Sequence, residues 1–140
     1  NNNQAFIDQH IARLKSANVN MVRIADANAT AWFEACDKAG IMVFCGSYAG
    51  TGISDPTLGA RNLAALADYV YKVNSHPSVV VWTIGNEWDL DGPVMSGQVA
   101  ALRSGALALD SSRPLILTDS AQYYTTGNPA LCIKNKSLRH

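Results

Sequence analysis

Four short apolar runs, spaced by single helical stretches, limit what this chain can fold into. Val19 to Ile24, Ile41 to Cys45, Ser78 to Ile84 and Leu115 to Thr118 are rich in β-branched and aliphatic residues. That is the composition of strands buried on both faces. The segments between and before them carry helical period. In Gln4 to Ala17, Ile7, Ile11 and Leu14 recur on one face, and Asn18 suits the helix end. Thr30 can cap a helix that buries Trp32 or Phe33, Cys36 and Ala39, with Gly40 to close it. Gly46 to Asp55 reads as a loop, and Asp55-Pro56 as a cap followed by a first-turn proline. Leu63, Leu66, Val70 and Val73 stripe the helix that follows, and Asn74 to Pro77 breaks it. Ser96 to Leu109 places Val99, Leu102, Ala106 and Leu109 on one face before the break at Arg113-Pro114.

The runs start near residues 19, 41, 78 and 115, so one helix fills each interval. This is the rhythm of βα units with a parallel sheet. A doubly wound sheet and a (β/α)8 barrel both fit it. A complete barrel usually takes about 250 residues, and this chain has 140. The expected fold is α/β, with about four consecutive βα units and a parallel sheet in residues 1–131; a doubly wound sheet and a partial barrel, of which the chain could supply about half, both stay open at this point. Residues 132–140 carry Lys134, Lys136, Arg139 and His140 without a clear period, and are expected to be a basic tail or a truncation end.

Eleven basic residues balance eleven acidic ones, so no net field draws the chain to nucleic acid or to an anionic membrane. No apolar run approaches the roughly 20 residues of a membrane span. The polar start, Asn1 to Gln4, does not read as a signal peptide. Cys36, Cys45 and Cys132 show no CxxC spacing, and His10, His76 and His140 share no ligand spacing. Neither a disulfide framework nor a metal site is expected.

The segment His76-Pro-Ser-Val-Val-Val-Trp-Thr-Ile-Gly-Asn-Glu-Trp88 runs an apolar strand straight into a carboxylic acid. In parallel α/β proteins the C-terminal ends of the strands form the ligand face. A glutamate there, beside Trp82 and Trp88, is expected to be partly desolvated, which disfavours its charged form and suits it to act as a general acid. Asn86 offers an amide to a hydroxyl, and Trp88 a flat apolar face for a sugar ring. The plainer reading of a glutamate after a strand is a helix cap or a surface ion pair. The Asn-Glu-Trp setting favours the chemical one.

These residues resemble glycoside hydrolase family 2, whose members include β-galactosidases, β-glucuronidases and β-mannosidases. His76 to Glu87 is similar to that family's fourth barrel strand. Leu14 to Arg23 is similar to its run into the second strand, and Trp32 to Val43 to the following helix and third strand. The family belongs to a retaining clan, which also contains family 5, whose catalytic domain is a TIM barrel. The resemblance implies a carbohydrate substrate, no cofactor, and roles by position. Glu87 matches the general acid/base, Asn86 the residue that holds the sugar 2-hydroxyl, and Arg23 the arginine that steadies the nucleophilic carboxylate. Where the family often continues with a Ser-His-Tyr-type segment, this chain has Ala25-Asp26-Ala27-Asn28, which leaves the sugar open. Asp26, Tyr48, Trp88, Asp89 and Asp119 fall at or just past strand ends and are candidate sugar contacts, although each could equally cap a loop. A periplasmic or secreted location fits the resemblance, but the chain does not fix its compartment.

The nucleophile of such an enzyme is a glutamate on the seventh strand. The chain's only glutamates are Glu34, within a helical stretch, and Glu87. Retaining hydrolysis needs two carboxylates about 5 to 5.5 Å apart. The expectation is a fragment of a larger enzyme, inactive by itself and completed by the missing βα units. Two other readings stand beside it. One is a carbohydrate-binding or scaffolding remnant without catalysis. The other is a nucleotide-binding domain built on Gly46-Ser-Tyr-Ala-Gly-Thr-Gly52, which fits neither GxGxxG nor a P-loop.

Overall fold

A computed structural model describes residues 3–47, 57–88 and 98–119; for residues 47, 58, 85–88, 99 and 117–119 it describes the backbone. Helix α1 (Gln4–Ser16) opens on Asn3, whose side-chain oxygen accepts from the Ala5 amide. It buries Ile7 and ends at Asn18, which takes a left-handed φ of 56°, a conformation asparagine adopts more readily than most residues. Strand β1 (Met21–Ile24) leads to α2 (Thr30–Ala39), which buries Phe33 and Cys36. Gly40 closes α2 at φ 64°, donating its amide back into the last turn. Thr30 is not the cap that the sequence suggests. It is the first helical residue, and Ala29 stands at the N-cap without a side-chain bond.

Strand β2 (Met42–Ser47) runs two residues into the expected loop, and the remainder of that loop, 48–55, lies outside the described residues. Helix α3 (Leu58–Val73) has Thr57 at its N-cap, so the expected Asp55-Pro56 start also lies outside them. Strand β3 (Val79–Trp88) continues through the Gly-Asn-Glu-Trp segment instead of stopping at Ile84. Helix α4 (Val99–Leu109) and strand β4 (Leu115–Asp119) follow. Leu109 is exposed, contrary to the expected stripe. The chain turns extended at Asp110, so the buried face of α4 ends at Ala106.

The four strands form one parallel sheet in the order β1-β2-β3-β4. Alternation along the strands sorts their side chains between two faces. Val43 and Cys45 of β2, and Trp82 and Ile84 of β3, share one buried cluster with Phe33 and Cys36 of α2, and the register shift after Val79 adds that residue to it despite its opposite parity. Leu66, Val70 and Val73 of α3 and Leu102 and Ala106 of α4 complete that cluster. The helices thus cover the face to which these residues point. Positions of the other parity include Met21, Arg23 and Met42, which are exposed, and half-buried Phe44. A doubly wound sheet reverses its strand order and takes helices on both faces. Unbroken order with helices on one face is the pattern of consecutive barrel units.

Cys36 and Cys45 are free thiols inside this cluster, as their apolar neighbours suggest. Burial pushes the Cys45 thiol up to about 12, so it behaves as a small hydrophobe.

β2 and β3 approach closely at Gly46, which pairs with Thr83. A Cβ built there would lie 2.0 Å from the Thr83 carbonyl oxygen, so the two backbones approach too closely for any side chain. Gly46→Ala is expected to destabilise the chain by about 1–3 kcal/mol through forced strand separation. Phe33→Ala, at a fully buried ring, is expected to cost about 3–5 kcal/mol. Urea unfolding monitored by circular dichroism checks both; losses below about 0.5 kcal/mol would contradict this packing.

Candidate active site

Two polar clusters hold the strand that carries Glu87. Asp37, at the end of α2, accepts from His76 Nδ1 at 2.6 Å and from the Ser78 amide at 2.9 Å. The His76 ring packs on Phe33, with centroids 5.3 Å apart. Burial acts to raise the Asp37 carboxyl, but the hydrogen bonds from Ser78 and His76 outweigh it and hold the group below its ordinary range. This cluster anchors the segment that enters β3.

The second cluster grips β3 from the α4–β4 connection. The Trp82 Nε1–H donates to Asp110 Oδ2 at 2.7 Å, and Arg113 Nη1 donates to the same oxygen at 2.7 Å. Arg113 also donates through Nε to the Val79 carbonyl at 2.7 Å and through Nη2 to the Asn74 carbonyl at 2.6 Å. Its guanidinium carbon lies 5.4 Å from the centre of the Trp82 ring. Asp110 Oδ1 accepts from the Ser112 amide and hydroxyl. Burial opposes ionisation of Asp110, yet the donors from Ser112, Trp82 and Arg113 hold its carboxyl far below the usual carboxylate range.

This geometry corrects one expectation. Trp82 does not flank Glu87. Its indole is 1% exposed on the helix-covered face, and its rung partner is Leu115, the first residue of β4. Glu87 lies five residues further along β3, roughly 16 Å at about 3.3 Å per residue. Strand alternation gives the physical reason: Trp82 shares its parity with Ile84, and both serve the core.

Asn86, Glu87 and Trp88 are the last three residues of β3, at the C-terminal end of the sheet. Trp88 pairs in register with Asp119, the last residue of β4, so two predicted contacts meet on one rung. Arg23 is the penultimate residue of β1 and is exposed, with its guanidinium carbon 5.5 Å from the centre of the Phe44 ring. The ladder sets Arg23 level with Phe44, and Phe44 level with Val81. Asp26 follows β1, and its Oδ1 accepts from the Asn28 amide at 2.9 Å and from Asn28 Nδ2 at 3.2 Å. Asp26 therefore shapes the turn after β1. Tyr48 and Asp89 lie outside the described residues. Glu34 is exposed on α2.

Tyr69 is a contributor that the sequence reading missed. Its hydroxyl donates to the Ala25 carbonyl at 2.6 Å, tying α3 to the loop after β1. A tyrosine beside the buried stripe of α3 was the available signal. A cavity of about 520 Å³ lies along β1, lined by Ile11, Leu14, Val22, Ile24 and Trp32 with Arg23 and Asp26 at its polar side. No group of three or more His, Cys, Asp or Glu that could hold a metal occurs among the described residues. No helix among them is long and apolar enough to cross a membrane.

Residues 3–135 match the family described as "Glycosyl hydrolases family 2, TIM barrel domain". The chain belongs to glycosyl hydrolase family 2. A β-galactosidase from Alteromonas mediterranea is 31% identical over 116 residues, and one from Lactococcus lactis is 30% identical over 114. These alignments cover 76% and 75% of this chain but 11% of each relative, so the chain spans about a tenth of their length. Among solved structures, the β-D-glucuronidase for Dictyoglomus thermophilum superposes with a TM-score of 0.73 at 18% identity, covering 86% of this chain and 24% of that one. A family 2 member from Bacteroides cellulosilyticus superposes at 0.66 with 24% identity, covering 83% of this chain and 16% of that one. At such identities the superpositions establish the fold. Family 2 proteins of this kind are glycosidases, and the barrel segment is the part of them that this chain shares.

The Asp37 cluster makes a pH-dependent prediction. Asp37→Ala is expected to lower stability by about 1–3 kcal/mol near neutral pH. A carboxyl held low in the folded state contributes stability above its unfolded pKa and loses it as pH falls through the folded one. The gap between variant and wild type should therefore narrow steadily below about pH 4. Urea titrations across that range measure it, and a gap independent of pH would contradict the assignment.

Proposed function

We propose that this chain is the portion of a retaining glycoside hydrolase that carries the general acid/base, Glu87, and lacks the nucleophile. One observation supports the reading above the others: in a family 2 chain, an Asn-Glu pair ends the third of four parallel strands, at the ligand end of the sheet. In the complete reaction Glu87 protonates the departing glycosidic oxygen while a carboxylate from elsewhere in the enzyme attacks the anomeric carbon. Ionised Glu87 then removes a proton from the water that releases the sugar. Asn86 hydrogen-bonds the 2-hydroxyl, and Arg23 keeps the nucleophile ionised. Trp88 and Asp119, on one rung at the sheet end, are proposed as sugar contacts along with Asp26, Tyr48 and Asp89. Arg23 sits on a lower rung than Glu87, so its reach depends on strand tilt and on its long side chain.

The partial-barrel reading has its own support. β1 and β4 stand at the two ends of the strand order among the described residues, where the backbone edge of a parallel sheet can pair with a further strand. Residues 1–131 are accordingly proposed as the barrel segment and 132–140 as a tail. The substrate is a carbohydrate, and the chemistry calls for no metal or organic cofactor.

Two assays test the reading. The purified 140-residue chain should not turn over aryl glycosides. In the enzyme encoded by the complete gene, Glu87→Gln should lower kcat/KM about 10²–10⁴-fold. Turnover by the isolated chain that Glu87→Gln removes would contradict the missing-nucleophile assignment. Full activity of the complete Glu87→Gln enzyme would contradict the role of Glu87. Sugar-dependent thermal protection without turnover in the complete enzyme would favour a binding remnant.

A further inference from the structure

The ladder between β3 and β4 is regular from Trp82 to Ile84, which pair with Leu115 to Leu117. The next pair is Trp88 with Asp119, so β3 spends four residues where β4 spends two. Glu87 lies within this irregular stretch. Its position is therefore not set by a continuous ladder but by where β3 is anchored below it. A slip of one residue at that anchor would move β3 by about 3.3 Å and turn every following side chain to the opposite face.

The anchor is built from side chains. One guanidinium, Arg113, bonds the carbonyl of Asn74 before β3, the carbonyl of Val79 at its start, and Asp110. Asp110 in turn holds the indole of Trp82 within the strand. The Trp82 amide donates to the Pro114 carbonyl at 2.9 Å, closing the same junction through the backbone. The three side chains of the anchor are largely covered, with Arg113 and Asp110 at 20% and 11% exposure and Trp82 at 1%. A slip of one residue in either direction would break the Trp82–Asp110 and Arg113–Val79 bonds together. Each loss would strand a charged group in a half-dry site, which costs more than the bond itself contributes.

We propose that Trp82, Asp110 and Arg113 are positioning residues: a register lock that fixes the height and facing of the strand end bearing Glu87. The inference rests on the reading of Glu87 as the acid, and gives the cluster a role in placing that acid beyond its part in folding. A displacement of about 1 Å at a reacting group can cost around 10²-fold in rate, so a lock some 16 Å down the strand bears directly on activity.

The test uses the enzyme encoded by the complete gene. Trp82→Phe keeps an aromatic ring and removes the Nε1 donor. Arg113→Lys keeps the charge beside Asp110 but cannot fork to two carbonyls. At a temperature where each variant is folded by circular dichroism, hydrogen exchange at residues 83–88 should quicken at least about tenfold, with α1 unchanged. The alkaline limb of the pH profile of kcat/KM, which reports the acid of the free enzyme, should shift by about half a unit or more. A smaller folded fraction would scale that profile without moving it. The Trp82→Phe/Asp110→Asn double variant should add little to either single change, as members of one network do. Exchange confined to no segment, or an unmoved profile in both single variants, overturns the lock. Glu87→Gln run in parallel separates the two ideas. If it abolishes activity while the single variants leave exchange and profile unchanged, the lock fails and the acid stands. If it leaves activity intact, the acid fails, and the exchange data still decide the lock.

Discussion

Alternation along β3 is the constraint on which the rest of this structure depends. Trp82 and Ile84 belong to the buried cluster shared with α2, α3 and α4, so the intervening positions must face the other way. In a sheet whose helices cover one face, that other way is the interior of a barrel. The two tryptophans of the strand share that parity, and the irregular stretch between Ile84 and Trp88 stands between them. Trp82 is core and clasp, and its donor is consumed by Asp110. Trp88 stands on the terminal rung with Asp119.

Among the described residues, two polar clusters hold the connections that enter β3 and β4. Asp37 with His76 joins the end of α2 to the entry of β3, and Asp110 with Arg113 joins the end of α4 to the entry of β4. Barrel enzymes commonly divide their labour this way, with the N-terminal ends of the strands serving stability and the C-terminal ends serving chemistry. Both carboxylates are held below their ordinary range despite the opposing pull of burial. Perturbation of that kind marks functional sites in many proteins, but structural networks also produce it. Here the partners are backbone amides, a serine hydroxyl, an indole, a histidine and an arginine, all within the fold, which marks these two acids as structural.

Much of the fold was legible because local signals agreed with one another. The stripe of Leu66, Val70 and Val73 lies buried as its period implied. Gly40 and Asn18 end their elements in left-handed conformations, as residues of those types do. The sequence could not choose between a doubly wound sheet and a barrel, because both have the same βα rhythm; strand order made the choice. Helix starts were less legible. Thr30 looked like a cap, but it is the first residue of α2, and the turn before that helix is closed by Asp26 acting on Asn28. The Asn-Glu strand end was visible as a motif, whereas its supports were not. The partners of Trp82 and His76 are 28 and 39 residues away, and no local pattern reports a contact at that separation.

A glutamate that gives its proton to a leaving group matters in proportion to how badly that group needs one. The leaving-group dependence of the Glu87→Ala variant of the complete enzyme therefore tests the central claim most directly. With aryl glycosides of graded phenol acidity, kcat/KM should stay near wild type for the most acidic phenols. It should fall steeply, by about 10²-fold or more, for the least acidic. Equal losses across the whole series would show that residue 87 does not donate the proton, and the account of this strand end would be wrong.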